Sequence, residues 1–273
     1  MQPSSAVRRS SLRQQLADAI RDEILAGRLP AGGRFTVKEI AEHYGVSATP
    51  VREALVDLSA QGLLDVEHHR GFQVRTITWG EYRGMVEARS LVTEGVFRNI
   101  VARGMQGMPD DTALASVRRR GAAASAAARG GELDVLIGCD LRFWRELTVL
   151  IRNRPICDFL DRLRTQIWMY SVPHLRRRPD LGEVCWQDHT ALADAVCGRD
   201  LETIQRLVGD YNDHAITVMA RITGNSGRPG PAPGDGPETG DGADAGDGDG
   251  CETGDGDGCE TGDGDGDAAG TGD

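Results

Sequence analysis

The chain has 273 residues, enough for two modest domains, and a formal net charge of −11. The acidity is local: residues 225–273 contain eleven Asp, three Glu and one Arg, a net −13, so that residues 1–224 carry +2. No run of about 20 apolar residues suits a membrane span, and no N-terminal apolar run resembles a signal peptide. The six cysteines form no C-x-x-C pair, which favours reduced thiols. We therefore expect a soluble cytoplasmic protein without a membrane partner.

The N-terminal part is predicted to form one domain over residues 10–77. Residues 1–9 form a short flexible arm, and residues 11–26 a helix with an apolar stripe. Two further helices follow, joined by a tight turn at Gly45, which ends the first of them in a left-handed backbone conformation. Ser47 is a good N-cap for the second, because its hydroxyl can accept a free backbone N–H. That helix has a buried stripe at the three- and four-residue spacing: Val51, Ala54, Leu55 and Leu58.

A basic-tipped hairpin completes this domain. Residues 63–66 and 72–74 are predicted to be short strands on either side of a tip at 68–71. Two helices and such a hairpin make a winged helix-turn-helix, in which the second helix enters the major groove of DNA.

Polar side chains on the outer face suit that use. Ser47, Thr49 and Arg52 lie near the N-terminus of the second helix, the end that reaches base edges. Arg52 suits a bidentate contact with guanine, and Lys38 and Arg70 are placed to contact phosphates. For Arg52 a purely structural alternative stays open, an ion pair with Glu53 or Asp57 on a solvated face.

The sequence GVSATPVREALVDLSAQGLL followed by HHRGFQV resembles the DNA-binding domain of the GntR superfamily of bacterial transcription regulators. The resemblance implies that double-stranded DNA is the partner, bound through Lys38, Ser47, Thr49, Arg52, Arg70 and Gly71. This chain has Ala48 where many members have a basic residue, so the resemblance does not carry over an operator preference.

Residues 78–224 are predicted to be an all-α antiparallel bundle. Its six helices are expected at residues 80–103, 111–129, 132–151, 156–171, 180–197 and 200–222. The fold class is therefore mainly α, with a small β wing. This segment resembles FCD, the ligand-sensing domain of FadR-type GntR regulators, on the residues Glu87-Ala-Arg89, Asp140-Leu-Arg-Phe143, Asp188-His189 and Gly198-Arg-Asp200.

Many FCD domains bind a divalent metal through one Asp and three His, and this resemblance maps onto the chain only in part. Asp140 and His189 match, whereas Trp144 and Tyr211 stand where two histidines are usual. A site for Zn or a similar ion would then use Asp140, His189 and His214, three residues after Tyr211. The alternative is a hydrogen-bonded Asp–His pair that lines a cavity without metal.

An organic effector is also implied by the resemblance. An arginine at the position of Arg89 helps to hold an anion in the family, and its planar fork matches a carboxylate. Arg89, Asp140, Trp144, His189 and Tyr211 are the candidate effector-binding residues. The alternative for Arg89 is a structural ion pair with Glu94 or another acid of the bundle.

The last 49 residues, 225–273, are rich in Gly and Asp and are predicted to be disordered, because they contain too little apolar material to offset ordering entropy. The best interpretation of the whole chain is a homodimeric transcription regulator, a repressor released by ligand, that binds a pseudo-palindromic operator. Two alternatives stay open: a metal-dependent helical-bundle enzyme, and a constitutive DNA binder without an effector.

Overall fold

The protein is described by a computed structural model, which covers residues 11–67, 71–102 and 111–225. The predicted arm at 1–9 lies outside these residues, as does the tail from residue 226 onward. The described chain is mainly helical, as predicted, with one small sheet. Its elements are α1 Leu12–Leu25, β1 Arg34–Phe35, α2 Val37–Tyr44, α3 Ala48–Ala60, β2 Leu64–Glu67, β3 Gly71–Val74, α4 Trp79–Ala102, α5 Asp111–Gly130, α6 Leu133–Val149, α7 Arg154–Leu175, α8 Leu181–Val184, α9 His189–Gly198 and α10 Leu201–Thr223.

The predicted helix-turn-helix is formed by α2 and α3. Thr36 starts α2 with a capping box, in which its hydroxyl accepts from the Glu39 backbone and the Glu39 carboxylate accepts from the Thr36 backbone. Gly45 ends α2 at φ +65, the left-handed conformation expected there. The predicted apolar stripe of α3 is fully buried against α1 and α2, which fixes the direction in which the outer face of α3 points.

The wing is a three-stranded antiparallel sheet in the order β1-β3-β2. The two hairpin strands were predicted, but β1 was not, because two residues are too short for a periodic pattern. Phe35 of β1 pairs with Phe72 of β3, and Val66 of β2 lies on the other side of Phe72. The wing tip at 68–70, with the predicted phosphate contact Arg70, lies outside the described residues.

The remaining helices pack pairwise into a bundle. Helix α5 packs against α6 and α9, α4 against α7 and α10, and α6 against α7. Two predicted boundaries differ. Helix α7 continues through Pro173 to Leu175, although a proline within a helix removes one backbone donor and crowds the carbonyl four residues earlier. The helix expected at 180–197 is split into α8 and α9, because Cys185 is extended, with φ −79 and ψ 143.

One apolar core crosses the predicted domain boundary at 77/78, which itself stays a prediction. Ile24 and Leu25 of α1 belong to the same buried cluster as Met169 and Val172 of α7. Across this junction the Gln166 side-chain amide donates to the Gln61 carbonyl at 2.8 Å, at the end of α3. Helix α3 is therefore linked directly to α7. Among the described helices, none is both long and apolar enough for a membrane span.

We expect Gly71→Ala to lower the free energy of unfolding of the protein more than Gly45→Ala does. Both glycines have positive φ, at +100 and +65, so both substitutions carry backbone strain of roughly 1–2 kcal/mol. Only at Gly71 would the new Cβ also collide with a backbone atom, the Phe35 carbonyl oxygen, whereas Gly45 has open space around it. Urea unfolding of the two variants measures the difference, and equal losses of stability would contradict this account.

Candidate functional site

The exposed face of α3 carries three of the predicted DNA contacts. Ser47 is the N-cap residue, but its side chain makes no capping hydrogen bond, so its hydroxyl is left for an external partner. Thr49 and Arg52 are exposed, and among the described residues Arg52 has neither a hydrogen bond nor an ion pair. The alternative pairing with Asp57 is not made, because Asp57 binds the Arg13 Nε at 3.0 Å. The face is therefore polar, solvated and unengaged.

Two other predicted DNA contacts flank this face. Lys38 on α2 is exposed, with its Nζ 3.8 Å from Glu42, an i,i+4 pair that contributes little when solvated. Gly71 begins β3 at φ +100, close against the Phe35 carbonyl. Its evident role in the described structure is steric, since only glycine fits between β1 and β2 at that point.

A second candidate site lies inside the bundle, around the carboxylate of Asp140. This side chain is 1% exposed. Its Oδ1 accepts from the Trp144 indole at 3.0 Å and meets His189 Nε2 at 2.9 Å. Its Oδ2 accepts from the Trp168 indole at 2.8 Å and from the Tyr211 hydroxyl at 3.5 Å. Four polar groups from α6, α7, α9 and α10 therefore converge on one carboxylate.

His189 is held in place by the start of α9. The Ser125 hydroxyl of α5 accepts from the Thr190 backbone N–H at 3.0 Å and donates to the Gln187 carbonyl at 2.6 Å. This bond pair fixes the first turn of α9 to α5 and directs the His189 ring to Asp140. The His189 Nδ1 is buried without a described partner.

Arg89 of α4 is the other charged group of this site. It is 1% exposed, and its Nε donates to the Asn212 side-chain oxygen at 2.7 Å. Its guanidinium lies 4.5 Å from the centre of the Tyr211 ring. Both terminal nitrogens are buried and have no hydrogen-bond partner among the described residues. The alternative ion pair with Glu94 is not formed, so the fork of Arg89 is available to an anion.

These groups line a cavity of about 70 Å³, which we call cavity 1. Apolar residues of α7 and α10 form much of its wall, and its polar groups include those of Arg89, Asp140, Ser171, His189, Tyr211 and His214. Four of the five predicted effector residues therefore meet at one place. Trp144, the fifth, is not part of the wall but contacts Tyr211, with ring centres 4.6 Å apart and the planes tilted by 41°.

The predicted metal set of Asp140, His189 and His214 also lines cavity 1, yet it is not assembled as a metal site. The described part of the chain contains no group of three His, Cys, Asp or Glu side chains that could hold a metal ion. The reason is the hydrogen bonding, since His189 Nε2 meets Asp140 and His214 Nε2 meets the Val184 carbonyl at 2.8 Å. Donors from Trp144 and Trp168 occupy the carboxylate that a metal would need.

Burial sets the protonation of several groups here. It lowers the pKa of His214, and the hydrogen bond to the Val184 carbonyl opposes that shift only in part. It raises the pKa of Tyr82 to about 12 and that of the Cys185 thiol to about 11. At neutral pH, Tyr82 and Cys185 are therefore protonated, and His214 favours its neutral form.

Sequence reasoning missed Asn212, Trp168 and Arg164. Asn212 and Arg164 are polar residues on otherwise buried faces of α10 and α7, with Arg164 four residues after Leu160 on an apolar stripe. A polar residue at such a position was the signal that could have identified them as site residues. Trp168 gave no such signal, because a tryptophan in an apolar stripe cannot be told from an ordinary core residue.

Comparisons with known proteins agree with this arrangement. The profile of the bacterial regulatory proteins of the gntR family matches residues 12–74, and that of the FCD domain matches residues 85–214. The chain belongs to the GntR family and carries an FCD domain. The polar cluster around Asp140 thus lies within the FCD domain, and α2 and α3 within the GntR domain.

Individual relatives are distant. The probable D-xylose utilization operon transcriptional repressor of Paenarthrobacter nicotinovorans is 32% identical over 56% of this GntR chain and 65% of that protein. The transcriptional repressor RspR of Escherichia coli is 22% identical over 72% of this chain and 84% of its own. The chain spans less than two thirds of the length of the first of these relatives. E. coli McbR/YncC has the same fold, with a TM-score of 0.64 at 20% identity, covering 79% of this chain and 100% of that chain.

We expect Zn²⁺ to leave the unfolding midpoint of the EDTA-treated protein unchanged. The double variant Trp144→His/Tyr211→His restores the two histidines usual in metal-binding FCD domains and removes a donor from each Asp140 oxygen. Its midpoint should rise by about 5 °C or more at saturating Zn²⁺. Differential scanning fluorimetry compares the two proteins, and a Zn²⁺-dependent rise in the wild type would contradict the expectation.

Proposed function

We propose that this protein is a sequence-specific DNA-binding transcription regulator, acting as a homodimer in the bacterial cytoplasm and controlled by a small carboxylate in cavity 1. The observation that carries the proposal is the exposed, unengaged Arg52 on the recognition helix α3, beside Ser47 and Thr49. A long cationic side chain kept free of intramolecular ion pairs is available to base edges.

The contacts are proposed to divide into two kinds. Arg52 reads a guanine through two hydrogen bonds, and Thr49 contacts a neighbouring base. Ser47 and Lys38, together with Arg70 and the backbone at Gly71 in the wing, contact phosphates and set the register. Because α3 is anchored by its buried stripe, this face is presented as a rigid unit.

Dimerisation follows from the length of DNA that one domain can read. One recognition helix covers only a few base pairs, and two-fold related half-sites about one helical turn apart supply the remaining specificity. Repression is the proposed sign of regulation, since the relatives from Paenarthrobacter and E. coli carry the name of repressors.

The effector is proposed to be a hydroxycarboxylate of two to four carbons. The two unpartnered terminal nitrogens of Arg89 suit its carboxylate, and His189 Nδ1 suits its hydroxyl. A small ligand is favoured by the cavity volume of about 70 Å³. The Trp and Tyr hydrogen-bond donors around Asp140 already stabilise its buried carboxylate, so a metal ion is not needed for that purpose.

Helix α7 is the proposed route from effector to DNA. Ile167 and Ser171 of α7 face cavity 1, and Gln166 of the same helix donates to Gln61 at the end of α3. A shift of α7 on ligand binding would change the relative placement of the two recognition helices. Coupling free energies of roughly 1–3 kcal/mol are typical of such systems.

The enzyme alternative is less well supported. Both oxygens of Asp140 already accept hydrogen bonds, so this carboxylate is not left as a general base toward a substrate. In the Asp140–His189 pair only His189 Nδ1 has no described partner, and the effector hydroxyl is proposed to bind there. A constitutive DNA binder remains the alternative that the effector experiment below decides.

Arg52→Ala should cost roughly 1–3 kcal/mol of operator affinity and relax the base preference at one position. The operator is first obtained by selecting bound duplexes from a random pool. Fluorescence anisotropy then compares the variant with Arg154→Ala, which removes an exposed arginine of α7 that pairs with Asp158. The control should bind as the wild type does. Equal losses in both variants, or selection of no inverted repeat, would contradict the proposal.

Arg89→Lys should abolish the response to an effector while leaving operator affinity intact. Lysine keeps the charge but loses the fork that matches a carboxylate. Glycolate, lactate and malate are the first probes, and a ligand at 100 times its Kd should stabilise the wild type by about 2.7 kcal/mol, or about 5–10 °C. Arg98→Lys, an exposed change on the same helix, is the control. If organic acids of this size shift neither the midpoint nor operator affinity, the constitutive alternative holds.

A further inference from the structure

The FCD domain contains a second cavity, which is lined by Trp144 and which we call cavity 2. It has a volume of about 100 Å³ and lies between α4, α6, α7, α9 and α10. Its wall is apolar, with Phe97, Leu147, Leu160 and Ile204 among the lining residues. Dry cavities of roughly 150 Å³ with such walls take up benzene-sized molecules, so cavity 2 suits a chain of a few carbons.

The two threonines of the wall are already satisfied. The Thr93 hydroxyl donates to the Arg89 and Ser90 carbonyls at 2.9 Å. The Thr148 hydroxyl donates to the Trp144 carbonyl at 2.9 Å and to that of Arg145 at 3.1 Å. Since both hydroxyls are turned back to their own helices, they give a ligand with several hydroxyl groups little to bind.

Arg164 is the exception in this wall. Its side chain is 2% exposed, and its Nε and Nη1 are buried without a hydrogen-bond partner among the described residues. Asp161 is 3.9 Å from Nη1, beyond hydrogen-bonding distance, and is engaged by the Arg145 Nε at 3.2 Å. The guanidinium stacks instead on the Trp144 ring, 4.8 Å from its centre.

This arginine is charged despite its burial. Loss of hydration lowers its pKa to about 10, so the group is still protonated at neutral pH. A buried charge with unpaired donors destabilises the folded state unless an anion compensates it. The wall therefore joins an apolar space to a cation whose long ion pair with Asp161, at 3.9 Å, leaves two of its donors unpaired.

We propose that cavity 2 is a separate binding site for a short-chain aliphatic carboxylate, whose head group binds Arg164 and whose alkyl chain fills the apolar space. Cavity 1, with its several polar groups, differs in chemistry and takes the hydroxylated ligand proposed above. The two cavities share Trp144, whose ring lines cavity 2 and whose indole N–H binds Asp140 in cavity 1. A ligand that moves Trp144 on binding in cavity 2 therefore also moves a hydrogen-bond donor of Asp140.

The direct test is to titrate butyrate into the full chain. Isothermal calorimetry measures the binding, and the unfolding midpoint measures the stabilisation by butyrate. Butyramide, which is similar in shape but uncharged, is the ligand control. Arg164→Met should weaken butyrate binding roughly 30-fold or more, as expected for loss of one partner of a buried charge pair. Without ligand, its midpoint should not fall below that of the wild type, because the change removes a buried charge that has two unpaired donors.

Two further variants keep the test decisive. Val208→Phe fills cavity 2 and leaves Arg164 in place, so it should also abolish butyrate binding. Arg89→Lys changes a residue that lines cavity 1 and not cavity 2, and it keeps the charge, so this variant should bind butyrate as the wild type does, which separates this site from the effector site. No saturable response to butyrate in the wild type, equal binding of butyramide, binding retained in Arg164→Met, or binding lost in Arg89→Lys would each overturn the proposal.

Discussion

The buried carboxylate of Asp140 is the constraint on which the bundle depends. An ionised carboxylate without partners inside a protein carries a penalty of several kcal/mol, and the chain meets it with two indole N–H groups, one imidazole and one phenol. These donors come from four helices. Their side chains must point to one place, so the helices that carry them have little freedom of rotation about their axes.

A column of stacked groups extends from this cluster. Arg89 lies over Tyr211, Tyr211 lies against Trp144, and Arg164 lies over Trp144. Both guanidiniums have unpaired donors, Arg89 beside cavity 1 and Arg164 beside cavity 2. Neither forms a hydrogen bond with a carboxylate among the described residues, so each favours an anion. Trp144 and Tyr211 contact each other and one guanidinium each, which links the two cavities through packed side chains.

Much of the fold could be predicted from sequence, and the particular failures have physical causes. The stripe Val51–Leu58 and the left-handed Gly45 identify the helix-turn-helix because period and turn chemistry are local properties. Strand β1 was not predicted, because two residues are too few to show a periodic pattern. The break before α9 was not predicted either, because the identity of Cys185 does not indicate an extended backbone. In the site, Arg89, Asp140, His189 and Tyr211 were found together through family resemblance, whereas their hydrogen bonds were not. Whether His214 faced a metal or the Val184 carbonyl depended on where α8 lies, which no local pattern encodes.

The placement of tryptophan gives this protein an optical property of its own. The chain has four tryptophans, and none lies before residue 79. Trp144 and Trp168 both donate to Asp140, and the Trp186 ring meets the His189 ring edge to face, with centres 4.6 Å apart, so three of the four chromophores surround the same cluster. Trp79 stacks on Tyr82 beside the junction with the winged domain. Tryptophan emission therefore comes from residues 79–186 alone, and the GntR domain at 12–74 contributes none, so a change in that emission reports on the surroundings of the Asp140 cluster and of Trp79.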